Sequence, residues 1–330
     1  MILFSDLHLR AESESVALGE VLPGIRAACV ERNDRTVGFL GDWYHLRYSI
    51  DVRIQNAVRD ELRQWCEACI TLMILPGNHD QVDVQGRNAL EVFDDLHGVM
   101  VVTKPMWSTH GLWVPYRARR EDVQAALATP WPDGPVVHGV RPNTLFIHHG
   151  VQGAFQNNAM VDTDGLPLDM FAPFKHVLCG HYHKRQTLGG KVHYVGSPWQ
   201  TKADEAGQSK GYAIWDGKRL EYVDTQWGPR HYKLIVESPE QVIDTSFMRP
   251  QDKLKVEIRH AGVDTGALAS RLAAVGIAPV IEHNIEHQHE LRLGTANSLE
   301  EYAGRYVSAF ATERALEPAR LMSVFQKITQ

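Results

Sequence analysis

Five short segments of this chain each close a run of apolar residues with side chains that bind metals. They are Asp6-Leu7-His8, Gly41-Asp42-Trp43-Tyr44-His45, Gly77-Asn78-His79-Asp80, Phe146-Ile147-His148-His149 and Gly180-His181-Tyr182-His183. Imidazole, carboxylate and amide oxygen together suit borderline and hard divalent ions such as manganese, iron or zinc. Two aspartates, one asparagine and four or more histidines are too many donors for a single tetrahedral site. They match two ions roughly 3.5–4 Å apart, which clamp the attacking and leaving oxygens in phosphoryl transfer. Two divalent ions with Asp6, Asp42 and a bridging hydroxide keep a net charge of about +1, so the site attracts a phosphate diester. Ions of this kind lower the pKa of their water, and no serine or cysteine nucleophile is needed.

Such residues converge only if the fold brings them together. Each segment follows a strand-like stretch: Ile2–Ser5, Thr36–Leu40, Thr71–Leu75, Thr144–Ile147 and His176–Cys179. In an α/β sheet the carboxyl ends of neighbouring strands meet at one edge, where ligands bind. Helical stretches at about 14–31, 52–69, 88–96 and 121–128 separate the strands and predict both faces of the sheet covered. Pro23-Gly24 must kink or split the first of them. The spacings Asp-x-His and His-x-His put both side chains on one side of an extended segment.

At these positions the chain resembles the calcineurin-like metallophosphoesterases, and within them the SbcD-type DNA nuclease subunits, phage members included. The family pattern of D-x-H, G-D, G-N-H-D/E, H and G-H-x-H occurs complete and in order. The nuclease branch is marked by a histidine three residues after the second-motif aspartate, here His45, and by Tyr194-Val195-Gly196-Ser197-Pro198-Trp199 with Glu205 and Lys210-Gly211-Tyr212 beyond. The resemblance covers about residues 1–235. It implies a fold of two packed mixed β-sheets flanked by helices, followed by a small α+β module beside the active site at 236–296 and C-terminal helices at 297–330. It also implies roles. Asp6, His8 and His183 would hold a first metal, Asp42 would bridge to a second, and Asn78, His148 and His181 would complete the second. His79 would act on the scissile phosphate, and His45 would orient His79 or the phosphate. The two ions would be Mn2+ foremost, with Mg2+, Fe2+ or Zn2+ as alternatives. The implied partners are DNA, an SMC-like ATPase subunit of SbcC type and a second copy of the chain. The alternative within the superfamily is a phosphatase or a cyclic-nucleotide phosphodiesterase. A catalytically dead scaffold would have lost ligands, and none is missing.

The charge balance argues the other way. Thirty-four Lys and Arg against 40 Asp and Glu leave a net charge of −6, whereas nucleic-acid binders usually carry a basic face. Positive charge is local: Arg117, Arg119 and Arg120 follow Tyr116, Lys184 and Arg185 follow the last motif, and Lys202 and Lys210 flank Glu205. Arg117, Arg119, Lys184 and Arg185 are the candidate substrate contacts, with solvated surface charge as the bland alternative. Trp43, Tyr44, Tyr182 and Trp199 could stack unpaired bases, but aromatic residues at such places more often wall off the metals. Most of the 17 histidines must be structural or solvated; His149 is the borderline case.

At 330 residues the chain predicts one large and one small domain. No apolar stretch approaches ~20 residues, so no membrane span is expected. The first strand begins at Ile2, leaving no room for a signal peptide, and a cytoplasmic protein of a bacterial cell, or one encoded by a phage, is the expectation. Four cysteines make no disulfide framework at this size, and Cys66 and Cys69 read as buried or half-buried thiols on a helix. Residues 129–143, with four prolines, predict a surface loop. Tyr212–Trp215 and Leu220–Val223 predict a hairpin around Asp216-Gly217. Beyond it, Lys253–Ile258, Ala278–Glu282 and Glu290–Leu293 read as strands and 264–275 as a helix ending at Gly276. A helix should open at Ser298-Leu299-Glu300-Glu301, a capping-box signature, with Pro318 dividing the terminal segment.

Overall fold

A computed structural model describes residues 1–83, 85–132, 142–156 and 158–284. Two six-stranded sheets form its body. In the first, β1 (Ile2–Phe4), β2 (Thr36–Leu40), β3 (Thr71–Leu75) and β4 (Val99–Val101) run parallel. The hairpin of β11 (Gly211–Trp215) and β12 (Leu220–Asp224) joins them antiparallel to β1. In the second, β6 (Gly111–Val114), β7 (Thr144–His148), β8 (His176–Gly180) and β10 (Val192–Tyr194) run parallel, with β5 (Met106–Ser108) and β9 (Gln186–Leu188) as antiparallel edges. The expected architecture of two mixed sheets flanked by helices is the one observed.

The parallel strands read as unbroken apolar runs because both of their faces are covered. Between the sheets Leu3, Leu40, Met73 and Leu75 meet Trp113, Phe146 and Leu178. The Trp113 and Phe146 rings stack at 4.1 Å. At Gly38 the sheets approach so closely that a Cβ would stand 2.8 Å from the Trp113 ring. The outer face of the first sheet packs on the helix Val52–Glu67, which buries Ile54, Val58, Leu62 and Trp65. The outer face of the second packs on Arg120–Leu127 through Val123 and Ala126.

Local departures from expectation have identifiable causes. The first helical run changes pitch without breaking: a π-turn at Ala17–Val21 leads directly into the helix Leu22–Glu31, with Pro23 in that helix's first turn. The helix expected at 88–96 is only a 3-10 turn, Glu91–Phe93. There Asn88 Oδ1 accepts from the Leu90 N–H at 3.0 Å and the Ala89 N–H goes to the Asp80 carbonyl at 2.9 Å, so a local Asx turn and a tie to the neighbouring loop hold the segment. The helix Val52–Glu67 stops before Cys69, which is exposed at φ +57°; Cys66 is half-buried, and all four thiols are free.

A third sheet joins β13 (His231–Val236), β14 (Lys253–Ile258) and β15 (Val280–His283). Val236, Leu254, Val256 and Ile258 pack there against Leu268 and Leu272 of the helix Thr265–Ala274. Its first strand begins at His231, ahead of the expected boundary at 235. Met1–Glu282 is one compact unit. No helix among the described residues is long and apolar enough to cross a membrane. The strand expected at Glu290–Leu293, the helices from Ser298 onward and most of the 129–143 loop lie outside the described residues.

Candidate metal centre

The loops that leave β1, β2, β3 and β8, together with the last residue of β7, meet at one edge. Asp6, His8 and His183 form one group of donors and Asp42, His148 and His181 another, with the ligand atoms of each group within 4.8 Å of one another. Asn78 joins the second group: its Oδ1 is 3.1 Å from His148 Nε2 and 3.0 Å from His181 Nδ1. Asp42 Oδ2 stands between the groups, 3.3 Å from His148 Nε2 and 3.6 Å from His8 Nε2. All seven predicted ligands are thus brought together, with Asp42 in the middle.

Turning these side chains inward requires unusual backbone. Asp6, His8, Asp42 and His181 lie at φ of +55°, +45°, +62° and +95°, a region residues with a Cβ seldom enter. Such strain of roughly 1–3 kcal/mol per residue persists only where surrounding structure enforces it. Two glycines make room. A Cβ on Gly77 would lie 2.2 Å from Asp42 Oδ1, and one on Gly180 would lie 2.0 Å from the Leu40 carbonyl oxygen.

Proton bookkeeping shows that the donors fit cations. His148 Nδ1 donates to the Leu40 carbonyl at 2.6 Å, and His183 Nδ1 donates to Glu205 Oε1 at 2.6 Å. In the neutral ring each Nε2 then offers a lone pair. The His148 lone pair faces other acceptors, Asp42 and Asn78, and that of His183 faces His8 Nε2 at 3.0 Å. Around a neutral His148 electron pairs converge with no proton to separate them, which is the arrangement a divalent ion resolves. Charge effects agree. Burial opposes ionisation of Asp42, yet His148 and His8 hold its carboxylate well below the usual range. Burial resists a proton on His148, but the charge of Asp42 and its hydrogen bond lift the imidazole to about 9. Burial and then His148 push His181 down to about 3. The groups around Asp42 and His148 thus favour a positive charge between them.

His79 and His45 sit at the mouth. His79 is 4.8 Å from His8, ring to ring, and its ring stacks on that of His45 at 5.6 Å and 19°. His79 Nδ1 donates to the His45 carbonyl at 2.8 Å, and the His79 N–H donates to Asp42 Oδ1 at 2.8 Å. Nδ1 is thereby occupied, and Nε2 is the nitrogen left for a substrate. The cleft above them encloses about 250 Å³, with Arg10, Lys184 and Lys202 among its lining side chains.

The other candidate contacts are placed elsewhere. Arg117 donates to the carbonyls of Tyr116 and Thr103, Arg119 pairs with Asp122 at 2.9 Å, and Arg185 pairs with Asp224 and the Val223 carbonyl; none of the three lines this cleft. Only Lys184 of the four does. Trp43 is fully buried against Phe4 and Phe39, and Tyr44 is in the same core, whereas Tyr182 and Trp199 line the cleft.

Two carboxylates matter more than their motifs announce. Asp80 is wholly buried and gathers four backbone N–H groups, from Asp42, Trp43 and Gly77 on Oδ2 and from Tyr44 on Oδ1, at 2.9–3.1 Å. It ties the loop carrying Asp42 to the loop carrying Asn78. Asp80→Asn, which turns an NH2 toward one of those donors, should cost roughly 2–5 kcal/mol of stability. A urea midpoint unchanged from the parent would refute that role. Glu205 orients His183 and itself accepts from Thr201 Oγ1 at 2.8 Å and Lys210 Nζ at 2.7 Å. Burial works against its ionisation, but His183 and Lys210 hold it below the usual carboxylate range. A carboxylate behind a metal-binding imidazole fixes its tautomer and raises its basicity.

Comparison with curated proteins gives no match. The calcineurin-like phosphoesterase pattern matches residues 1–185, more than half of the chain and a span that runs from before Asp6 to beyond His183. With its two mixed sheets and its converging His and Asp groups, the chain belongs to the calcineurin-like phosphoesterase family, whose members are phosphoester hydrolases.

Proposed function

We propose that this protein is a DNA nuclease that uses two divalent ions, Mn2+ foremost, to hydrolyse phosphodiesters, as the nuclease half of a complex with an SbcC-type ATPase. The observation that carries the reading is the stacked His45–His79 pair beside the metal donors. A diester brings one bridging oxygen that must leave and a single negative charge to neutralise. His79 lines the cleft, where its Nε2 would meet that phosphate, and His45 would fix its orientation through the carbonyl bond and the ring stack. Ions held by Asp6, His8, Asp42, Asn78, His148, His181 and His183 would supply an activated water and charge neutralisation. Arg10, Lys184 and Lys202 place positive charge at the substrate's entry, which lets a locally cationic cleft work on an acidic protein.

The purified protein with manganese should digest linear or single-stranded DNA and act far more slowly on a phosphomonoester. The reverse preference would establish the phosphatase reading. Residues 297–330 would dock on the ATPase: Leu299, Tyr302, Tyr306 and Phe310, then Leu321, Met322, Phe325 and Ile328, recur at the spacing of a helix laid in a groove. Deleting 296–330 should leave manganese-dependent hydrolysis but abolish ATPase binding and ATP-stimulated digestion. A soluble truncation that binds the ATPase normally would rule this out.

A further inference from the structure

The aromatic residues of the metal-binding motifs are buried or form the cleft wall, but an exposed one stands at its rim. Phe155 keeps 41% of its surface in water, and Met160 and Val161 beside it keep 58% and 46%. These residues belong to a lip between β7 and β8 whose backbone is tied down at several points. Phe155 pairs with Val161 across a bridge, and the Gln156 N–H reaches the Met160 carbonyl at 2.8 Å. Gln186 brackets Phe155, accepting its N–H at 2.7 Å and donating to its carbonyl at 2.8 Å. On the other side Asn158 Nδ2 donates to the Asp204 carbonyl at 2.7 Å. The base of the lip is pinned where Tyr182, between His181 and His183, donates to Asp162 at 2.6 Å. Gln156, Lys184 and Asp204 line the metal cleft, so the lip closes one of its sides.

Phe155 is more than half covered by the chain itself, and what it leaves exposed joins Val161 in apolar surface at the edge of the cleft, where such surface serves binding. The Lys184 ammonium lies 4.7 Å from the Phe155 ring while its side chain also lines the cleft. An aromatic ring with a cation over it, next to a phosphate site, fits a nucleotide: the base against the part of the ring left exposed, the adjoining phosphate at the ammonium. Building on the nuclease reading, we infer that Phe155, supported by Val161 and Lys184, is a base-stacking subsite that grips the DNA strand beside the scissile phosphate.

The test compares a normal single strand with an abasic strand of equal length, which keeps the phosphates and lacks the bases. In the manganese-loaded full chain, Phe155→Ala should reduce the preference for the base-bearing strand, measured as the ratio of KM values, by roughly tenfold. Phe155→Trp should retain that preference. A 2-aminopurine placed beside the cleavage position should lose fluorescence in the first turnover with the parent and keep it with Phe155→Ala. If the parent cleaves DNA and Phe155→Ala leaves both ratio and quenching unchanged, the patch does not stack bases and the subsite is refuted, as it would be if the face served a protein partner. If the parent neither binds nor cleaves DNA, the nuclease reading falls and takes the subsite with it.

Discussion

Asp42→Ala should abolish hydrolysis and leave fewer than two ions bound per chain. Asp42 Oδ2 lies within 3.6 Å of imidazoles from both donor groups, His148 in one and His8 in the other. If Asp42 bridges two ions, its removal would take a ligand from each, and with it a negative charge that favours their binding. Its Oδ1 also holds the His79 N–H at 2.8 Å, so the loss would loosen the phosphate-facing histidine as well. Asp42→Asn keeps the shape and one oxygen acceptor, and should bind metal more weakly than the parent but better than the alanine form. Calorimetric titration with manganese reads both. Two ions retained at parental affinity in Asp42→Ala would eliminate the bridging role.

His79→Ala should behave in the opposite way: both ions bound, cleavage lost by roughly 10²–10³-fold. Its ring lies at the mouth of the cleft and contributes no atom to the Asp6–His8–His183 or Asp42–His148–His181 groups. His79 does share a donor cluster with His8 and His45, which makes the measurement decisive. A drop in metal stoichiometry on His79→Ala would assign it to a metal. Turnover within a few-fold of the parent with both ions bound would leave it no chemical role. Leaving-group dependence adds a second readout: if His79 protonates the departing oxygen, substrates with poor leaving groups should suffer most.

Five of the parallel strands, β1, β2, β3, β7 and β8, were legible because each is a short apolar run ending in candidate metal donors, and β2 and β3 span the residues expected, whereas β4, β6 and β10 end in no such motif and were not expected. The convergence of the seven candidate donors was legible for the same reason: strand ends locate them, and the sheets do the gathering. What could not be read was every role that depends on a contact between distant loops. Asp80 stands inside a motif, but nothing local says that it collects N–H groups from residues 42–44 as well as from Gly77. Glu205 and Lys210 were visible as a marker, while their grip on His183 exists only after the 201–210 segment folds under the last motif. Where Arg117 and Arg185 would point was equally unreadable, because charge in a sequence carries no address. In the fold their guanidinium groups answer carbonyls and a carboxylate of the chain itself.

The left-handed backbone at Asp6, His8, Asp42 and His181 sets a limit on grafting. Copying the seven ligand side chains onto the strand ends of another parallel sheet would reproduce the donor list but not the centre. On ordinary extended or helical backbone the same side chains would diverge. The recipient would need four left-handed turns placed after particular strands. It would also need bare glycines where Gly77 and Gly180 let neighbouring chain segments come within van der Waals distance. The smallest portable unit of this centre is therefore the edge of the two-sheet body with its loops, and a protein engineer would have to move that whole edge to carry the chemistry elsewhere.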